Sequence, residues 1–414
     1  MAFRRIAALV VLLTAGFATA VALGQGAAET TTVVTVTDPD RVVTIPGAIH
    51  DVTLPISTVT VTVTGTTTTT TQPPTTTTTT TTTTVPPPPV SGPACNSASW
   101  PAGSLLPARI AESTGSVINV STSAGLRSAL GSVNPGQIVR LAAGHYGAGE
   151  AAYSVSRSGT AAAPITIEGA GGAVLDTTLK VSASYVRVRN LEIDGSTRSD
   201  ENGVYGPGGS NVELCGLYIH DVTRGGQYAQ GIITSSSTSN WQIINVRIER
   251  IGDPGATQFI KEHEHGCYLN GTGYLLANVL IKDVSGFGCQ LYPSLDNSIL
   301  THVTLVGSRT KSGLINTSGS TGNRIVNSIS VGNASYGYEG SIPGDHLIAF
   351  GNGGGQFSLS SCSACLTANP LLDSSSKPQA GSPAIGHSDP RYSPGFDLAG
   401  NPRPASPAAG AYER

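Results

Sequence analysis

Short stretches of alternating hydrophobic and polar residues recur along the middle of the chain. In each stretch every second side chain is apolar, which is the pattern of a β-strand with one buried face. An asparagine, or once a histidine, stands just before the second apolar residue. The copies occupy residues 187–193, 213–219, 243–248, 276–281, 300–305 and 325–329. Because this region has no sustained helical period, the pattern predicts an all-β fold of short strands.

A column of glycines forms a second line of the same repeat. These glycines stand at positions 203, 231, 266, 288, 313 and 337, so the steps between them are 28, 35, 22, 25 and 24 residues. A period in the twenties with variable insertions indicates a solenoid. Strands this short bury their apolar face only when coils stack about 4.8 Å apart and their inward side chains form one core. The sequence therefore predicts a parallel β-helix.

This repeat resembles the pectate-lyase-like superfamily of single-stranded right-handed parallel β-helices over roughly residues 117–414. In that family an asparagine ladder lines an inner corner, and Asn190, Asn245, Asn278 and Asn327 are similar to its rungs. The entry of the solenoid, residues 123–176, is similar to that of the chondroitinase-B and alginate-lyase branch. The Arg-His-Gly strand and the lysine motif of that branch have no counterpart in the sequence. The resemblance therefore implies the fold, which hosts many chemistries, and transfers no catalytic residue.

The chain begins with a targeting pattern and a low-complexity stretch. Arg4 and Arg5 precede an apolar run and an Ala-Thr-Ala sequence, which is typical of a secretory signal peptide, with an uncleaved membrane anchor as the alternative. The Thr and Pro tracts that follow are typical of an extended, O-glycosylated stalk, or of a plain solvated linker. We predict a signal peptide in residues 1–20, a disordered stalk in 21–92, an N-terminal cap and first coil in 93–160, coils in 161–360 and a C-terminal cap in 361–414.

The two ends of the solenoid need caps, because an open coil exposes apolar side chains and unpaired strand edges. A short capping helix is predicted for residues 123–130. The C-terminal residues 381–413 are similar to the tail of secreted bacterial β-helix proteins. There we expect a cap in which Arg403 and Asp397 form an ion pair.

The charge and the cysteines narrow the class of protein. A net charge of −3 with 12% charged residues gives no basic surface for nucleic acid. No second apolar span follows the signal segment.

Six cysteines in an exported chain favour disulfides. Cys267 and Cys289 fall at one position of consecutive coils, about 4.8 Å apart, and form either a disulfide or stacked thiols. Cys362 with Cys365 predicts a cap-tightening disulfide, and Cys95 with Cys215 is left as a clip.

Alternation along the strands predicts which side chains face a surface groove. The residue after each glycine should point inward and the next one outward, while the glycine column itself should leave a bare furrow. A shallow furrow flanked by tyrosines suits a linear glycan, whose sugar faces stack on flat rings; isolated surface aromatics are the alternative. The substrate-binding candidates are Tyr205, Gln290, Tyr292, Glu264 and Asn270.

The longest period inserts residues 251–264 beside this face, and such insertions usually carry the binding function of a solenoid. A uronate lyase needs a base and a group that neutralises the carboxylate. His265 or Lys261 is the candidate base, Tyr268 the candidate acid and Arg224 the candidate neutraliser. An epimerase would use similar parts. No cofactor is defined by the sequence; Ca²⁺ remains an open alternative.

Several readings of these residues stay open. His263 and His265 share one strand face, so a metal site is an alternative to catalysis, and His265 can also be structural. The leading hypothesis is an exported, monomeric carbohydrate-active protein, secreted or on the cell surface, whose partner is an acidic polysaccharide and whose chemistry is of the lyase or epimerase type. Its rivals are a non-catalytic glycan-binding or adhesive module, which the stalk favours, and a structural envelope protein.

Overall fold

The computed structural model describes Cys95 and residues 100–149, 151–197, 202–223 and 228–414. The predicted signal peptide, the predicted stalk and Arg224 lie outside these described residues. Within them, no helix has both the length and the apolar character needed to cross a membrane.

The strands stack in parallel into three faces, which we call sheets A, B and C, and the fold is a right-handed parallel β-helix, as predicted. Sheet A contains Tyr153–Val155, Leu179–Val181, Asn202–Gly206, Gln230–Thr234, His265–Thr272, Cys289–Asp296, Leu314–Asn316, Tyr336–Asp345 and Gly355–Ser363. Sheet B contains Val117–Val120, Ile138–Leu141, Ile165–Gly169, Val186–Arg189, Ser210–Cys215 and Arg324–Val326. Sheet C contains Gly144–Tyr146, Ala173–Leu175, Glu192–Asp194, Tyr218–His220, Ile329–Val331, Ile348–Phe350 and Leu366–Thr367. Three long strands bend from sheet B into sheet C: Ser239–Ile251, Leu275–Val284 and Ile299–Ser308.

Inward side chains of the three sheets form one continuous core. On sheet C, Ile219, Ile248, Ile281 and Leu305 lie in register on successive coils, and each is at most 1% exposed. Burying an aliphatic side chain of this size contributes about 1.5–3 kcal/mol. Every coil therefore contributes its own increment to the free energy of unfolding by packing on the neighbouring coil.

The corner between sheets B and C carries the predicted asparagine stack. The four asparagines have φ between 53° and 56°, a left-handed conformation that asparagine adopts more readily than most residues. Asn278 Nδ2 donates to Asn245 Oδ1 at 2.8 Å, and His302 is another rung with φ of 50°. Asn278 also donates to the carbonyl of Phe396 at 2.6 Å. The stack thus lies beneath the C-terminal segment, whereas the family resemblance implied an inner corner.

A helix packs at the N-terminal end of the solenoid, and the C-terminal segment lies along sheets B and C. The predicted capping helix is present as Ser123–Ser132, and its N-cap Thr122 accepts a hydrogen bond from a backbone N–H. In the C-terminal segment, beyond a short 3₁₀ turn at Pro390–Tyr392, Arg403 pairs with Glu413. The expected partner, Asp397, instead accepts the backbone N–H of Glu413 at 2.9 Å.

Three disulfides join all six cysteines: Cys95–Cys215, Cys267–Cys289 and Cys362–Cys365. The Cα atoms of Cys267 and Cys289 are 4.6 Å apart, close to the spacing expected for consecutive coils. The structure therefore decides for the disulfide over stacked thiols at this position. Cys95–Cys215 fastens the N-terminal segment to the outer face of sheet B.

Candidate functional site

Sheet A is the face that stays open. An N-terminal segment lies on sheet B, where Arg109 pairs with Glu213 at 2.8 Å. The C-terminal segment covers part of sheet C, where Tyr412 packs on Leu280. On sheet A, by contrast, the outward side chains enclose an open groove of about 450 Å³. The groove is lined by Asn202, Tyr228, Gln230, Ile233, His263, His265, Tyr268, Gln290 and Tyr292.

The floor of this groove consists of two outward rows whose register the strand pairing fixes. One row runs through Tyr205, Ile233, Tyr268 and Gln290 on successive coils. The other runs through Asn202, Gln230 and His265. Alternation along the strands correctly predicted the first row. The second row occupies the position before each glycine, which strict alternation from the inward residue after the glycine would place inside. The bend at each glycine, which turns the glycine itself toward the core, brings this row to the outer face.

The glycine column does not face the groove, contrary to the expectation of a bare furrow. A Cβ on Gly231 would lie 2.5 Å from Cγ2 of Ile248, and one on Gly266 would lie 2.3 Å from Cγ2 of Ile281. Both contacts are with core side chains of sheet C. The glycines therefore sit where sheet C turns into sheet A, and they are needed because the interior has no room for a side chain at this corner.

The inserted loop forms one wall of the groove and is anchored from behind. It contains a short helix, Gln258–Lys261, with Thr257 as its N-cap. Glu264 is fully buried, and its Oε2 accepts the backbone N–H of Asp253 at 3.0 Å. Burial raises the pKa of Glu264. Its carboxyl thus closes the loop onto itself and does not reach the groove, so the predicted substrate contact is wrong.

His265 is a buried, neutral hydrogen-bond donor. Its Nδ1 accepts the backbone N–H of Phe287 at 3.0 Å, and Gly286 allows this approach, because a Cβ there would lie 2.6 Å from Nδ1. Burial, and then the charges of His263 and Lys311, lower the pKa of His265 to about 3. A neutral ring whose Nδ1 accepts must carry its proton on Nε2. This Nε2–H has no partner among the described residues, so His265 offers a donor to the groove, which argues against the expected base.

His263 has the opposite arrangement. Its Nδ1 lies 2.7 Å from the carbonyl oxygen of Phe259, which can only accept, so this nitrogen carries a proton. In the neutral ring Nε2 is then an acceptor, and no hydrogen-bond donor to it is found in the described part of the chain. The carbonyl of His263 in turn accepts a hydrogen bond from Gln230 Nε2 at 2.7 Å, which ties the loop to the groove floor. The two histidines therefore present complementary ring nitrogens, an acceptor on His263 and a donor on His265.

Tyrosines complete the groove. Tyr268 stacks on His265 with ring centroids 5.8 Å apart and an angle of 13° between the planes. Its ring meets that of Tyr292 edge-on at 5.8 Å. Burial and the neighbouring Tyr292 raise the pKa of Tyr268, so its hydroxyl stays protonated. Tyr228, on the opposite wall, lies 5.0 Å from the ring of His263. Flat rings on several sides are well suited to contact sugar faces.

Other candidates fall outside the groove. Lys261 ends the loop helix, and Tyr205 is on the same strand as the lining residue Asn202. Neither Lys261 nor Tyr205 is among the residues that line the groove. Asn270 is buried, and its side-chain oxygen accepts the backbone N–H of Gly271 at 2.9 Å, which is a structural role. No Lys, Arg, Asp or Glu is found among the lining residues in the described part of the chain, and Arg224 is outside it.

One group in the described ranges has metal-ligand spacing, and it does not include His263 or His265. Ligand atoms of Asp194, His220 and Asp221 lie within 4.8 Å of one another on the outside of sheet C. The ring nitrogens of His220 already contact Asp221 at 2.7 Å and Glu192 at 2.9 Å. Burial opposes its charge, but these carboxylates outweigh burial and raise the pKa of His220 to about 9. The group is therefore an ion-pair network, in which protonated His220 binds the carboxylates that would otherwise bind a metal ion.

The parallel pairing, the three faces and the stacked corners make this a right-handed parallel β-helix. No protein-family model matches the chain, and no curated protein matches its sequence significantly. Among solved structures, it is similar to the pectate lyase Pel9A, with a TM-score of 0.46 and 17% identity over 73% of this chain and 98% of that one.

Two further structures are similar at greater distance. An alginate lyase from Paenibacillus sp. str. FPU-7 has a TM-score of 0.41 and 18% identity over 61% of this chain and 96% of that one. The A-module of the Azotobacter vinelandii mannuronan C-5 epimerase AlgE4 has a TM-score of 0.37 and 14% identity over 58% of this chain and 74% of that one. At these identities no residue-by-residue correspondence is defined, and the roles of the groove residues have to come from their own geometry.

Proposed function

We propose that the chain is an exported enzyme that acts on an acidic polysaccharide in the groove of sheet A, by lyase- or epimerase-type chemistry. The observation that carries the proposal is the pair of histidines with complementary ring protons beside the protonated Tyr268. Proton abstraction next to a carboxylate needs an acceptor, a donor toward the developing charge and, for elimination, a proton for the leaving oxygen.

The residues divide these tasks. Nε2 of His263 takes the proton from the carbon next to the uronate carboxylate. The Nε2–H of His265 donates a hydrogen bond to the carboxylate oxygen, where negative charge develops. In elimination, the electron pair left behind forms a double bond while the adjacent C–O bond to the next sugar breaks, and the Tyr268 hydroxyl gives its proton to the leaving oxygen. The proton on His263 then returns to Tyr268 through water.

In epimerisation the same abstraction occurs, but the proton returns to the opposite face of the carbon and no bond between sugars breaks. In epimerisation this carbon receives a proton that has equilibrated with solvent, whereas in elimination it becomes part of the double bond and carries no proton. Incubation of the full chain in D₂O with galacturonan, mannuronan and guluronan, with Ca²⁺ or with chelator, tests both at once. We expect deuterium at the carbon next to the carboxylate if epimerisation occurs, and ultraviolet absorbance of an unsaturated uronate if elimination occurs. The absence of both across the panel would overturn the proposal.

Matched variants locate the chemistry. His263→Ala should slow the reaction by about 10²-fold or more, the usual contribution of a positioned acid or base. His145→Ala is the control, because His145 is an exposed histidine on sheet C that contacts Asp176 at 3.0 Å. Equal rates in the two variants would remove His263 from the mechanism.

A glycan-binding module without chemistry is the second candidate, and the tyrosines on several sides of the groove favour it. In that case, uronate polymers would bind without exchange or elimination. Tyr228→Ala and Tyr292→Ala would weaken binding, each by about 1 kcal/mol for the lost stacking, while His263→Ala would leave it unchanged. Affinity electrophoresis with the same polymers separates this outcome from catalysis.

A further inference from the structure

The row of outward side chains that contains Tyr268 continues along sheet A beyond both ends of the groove. Strand register carries it without interruption through Ser154, Lys180, Tyr205, Ile233, Tyr268, Gln290, Ile315, Glu339 and Ser358. Two of these nine side chains carry a full charge, and the charges have opposite sign. Lys180 is three coils before Tyr268, and Glu339 is three coils after it.

We propose that Lys180 and Tyr205 form a binding subsite for an anionic sugar, so that an acidic polysaccharide extends from the groove toward Lys180 and away from Glu339. This inference rests on the proposed function for its substrate class. It adds a direction to the bound chain and a second site of contact outside the groove.

The geometry at Lys180 suits a uronate. Its Nζ lies 5.8 Å from the centre of the Tyr205 ring. Neither an acidic side chain nor another hydrogen-bonding partner of Lys180 is found among the described residues. A half-buried tyrosine ring beside a cation offers a sugar both a flat apolar surface and a counter-ion for its carboxylate.

The opposite end of the row disfavours the same ligand. Glu339 accepts a hydrogen bond from Ser312 Oγ at 2.5 Å, which holds the carboxylate on this face. A second negative charge in a bound polyuronate would meet it without a neutralising partner from this row. Like charges at this separation cost binding energy, and the cost falls as salt increases.

The distance along the row determines how long an oligomer must be to reach Lys180 or Glu339. Three coils span about 14 Å at 4.8 Å per coil. One sugar of an extended chain is about as long as one coil spacing, so an oligomer centred at Tyr268 reaches Lys180 only with about three further sugars on that side. Short oligomers should therefore not distinguish the two ends.

The test is equilibrium binding of oligogalacturonates and oligomannuronates of two to eight sugars, measured by calorimetry at low and physiological ionic strength. The variants Lys180→Gln, Glu339→Gln and Lys282→Gln are made in the full chain with His263→Ala, so that proton abstraction, and with it both elimination and epimerisation, is blocked. Lys282 is the matched control, because it lies on sheet C and donates to the carbonyl of Ser374.

We expect Lys180→Gln to weaken binding of the longest oligomers about three- to fivefold, as for one exposed charge pair, and to leave the shortest ones unchanged. Glu339→Gln should tighten the long oligomers, and Lys282→Gln should change neither. Equal effects of Lys180→Gln and Lys282→Gln, or equal loss at all lengths, would overturn the subsite. If the chain that keeps His263 performs elimination or epimerisation while Lys180→Gln does not change oligomer binding, the subsite is overturned and the proposed function stands. If binding depends on Lys180 and on oligomer length but neither reaction occurs, the chemistry is refuted and the subsite stands.

Discussion

Two tyrosine–histidine stacks in this molecule have opposite chemical environments. On sheet C, Tyr218 and His220 stack with centroids 4.2 Å apart, and on sheet A, Tyr268 and His265 stack at 5.8 Å. Both nitrogens of His220 face carboxylates, and its pKa rises to about 9. His265 has one nitrogen on a backbone N–H, no counter-ion, and a pKa lowered to about 3.

The difference separates a structural histidine from a candidate functional one. The hydrogen-bonding capacity of the sheet C pair is used up: Arg250 donates to the Tyr218 hydroxyl at 3.1 Å, and Asp221 accepts from Arg250 at 2.6 Å. The sheet A pair leaves one ring N–H and one hydroxyl without partners among the described residues. Unused polar groups that line an open groove can bind a ligand, whereas a fully paired network holds the fold together.

The largest expected effect separates two replacements of His265. Asparagine can still accept the Phe287 N–H but loses the donor at the Nε2 position, whereas glutamine can place an N–H near that position. We expect His265→Asn to lower kcat by about 10²-fold, because a donor to developing charge is lost, and His265→Gln to retain more of the rate. In parallel, His220→Gln should leave kcat unchanged. Deuterium incorporation from D₂O measures all three variants if the reaction is epimerisation, and ultraviolet absorbance measures them if it is elimination. A lowered kcat in His220→Gln would contradict the distinction between the two stacks.

The same two histidines should give the stability of the fold opposite dependences on pH. An unfolded histidine titrates near pH 6.5. Because His220 binds its proton more tightly in the fold, its stabilisation is complete below about pH 6.5 and is lost as pH rises through about 9. Because His265 resists protonation in the fold, stability is instead lost as pH falls from about 6.5 toward 3.

Urea unfolding across this pH range, with His220→Gln and His265→Gln beside the parent chain, checks these signs. The loss attributable to His220 should be about 2 kcal/mol, since its carboxylate partners are partly solvated. His220→Gln should flatten only the alkaline side of the profile, and His265→Gln only part of the acid side, where buried His302 also contributes. An alkaline slope that persists in His220→Gln would contradict the assignment.

A disulfide lies beneath the stack of Tyr268 and His265, and its removal tests how much the groove depends on it. Cys267–Cys289 joins the coil of Tyr268 to the coil of Gln290 and closes 22 residues. Replacing both cysteines with serine should lower the free energy of unfolding by about 2–3 kcal/mol, from the loss of a constraint on the unfolded chain. Binding of uronate oligomers should weaken, because the two coils that line the groove are no longer joined.

The control for this double variant is Cys362→Ser with Cys365→Ser, which opens a crosslink between residues only three positions apart. Its stability loss should be smaller, since a shorter closed loop restricts the unfolded chain less. Calorimetric unfolding and binding measured on both variants would show whether the groove depends on its own disulfide. Equal weakening of binding in the two variants would mean that it does not.

The repeat made the fold predictable, but it did not predict which ring nitrogen of each histidine carries a proton. Apolar alternation and the glycine period are local patterns, and they placed Tyr268 and Gln290 on one outer row. The ring proton of His265 depends on the backbone N–H of Phe287, which arrives from the next coil, 22 residues later. Likewise, Glu264 reads as a polar loop residue beside the groove, yet the loop folds over it and buries it.

The face on which the glycines lie is a second feature that the local pattern did not predict. Strict alternation would place them outward, but the chain bends at each one as sheet C turns into sheet A. Ile281, on the strand that follows in the chain, then faces Gly266 closely enough to exclude a Cβ. A period of two describes a straight strand, and it fails where the backbone turns.

The smallest expected effect concerns the two tyrosine hydroxyls. The Tyr218 hydroxyl lies 3.1 Å from Arg250 Nη2, from which it accepts, and 3.3 Å from Glu249 Oε2, to which it donates. Tyr218→Phe should cost about 1 kcal/mol of unfolding free energy, because it leaves partly solvated charged groups without a partner. Tyr268→Phe should change stability by less than about 0.5 kcal/mol, since that hydroxyl has no partner among the described residues. Urea unfolding at pH 7 measures both; a larger loss for Tyr268→Phe would mean that the sheet A hydroxyl serves the fold, and that Tyr268 is as structural as Tyr218.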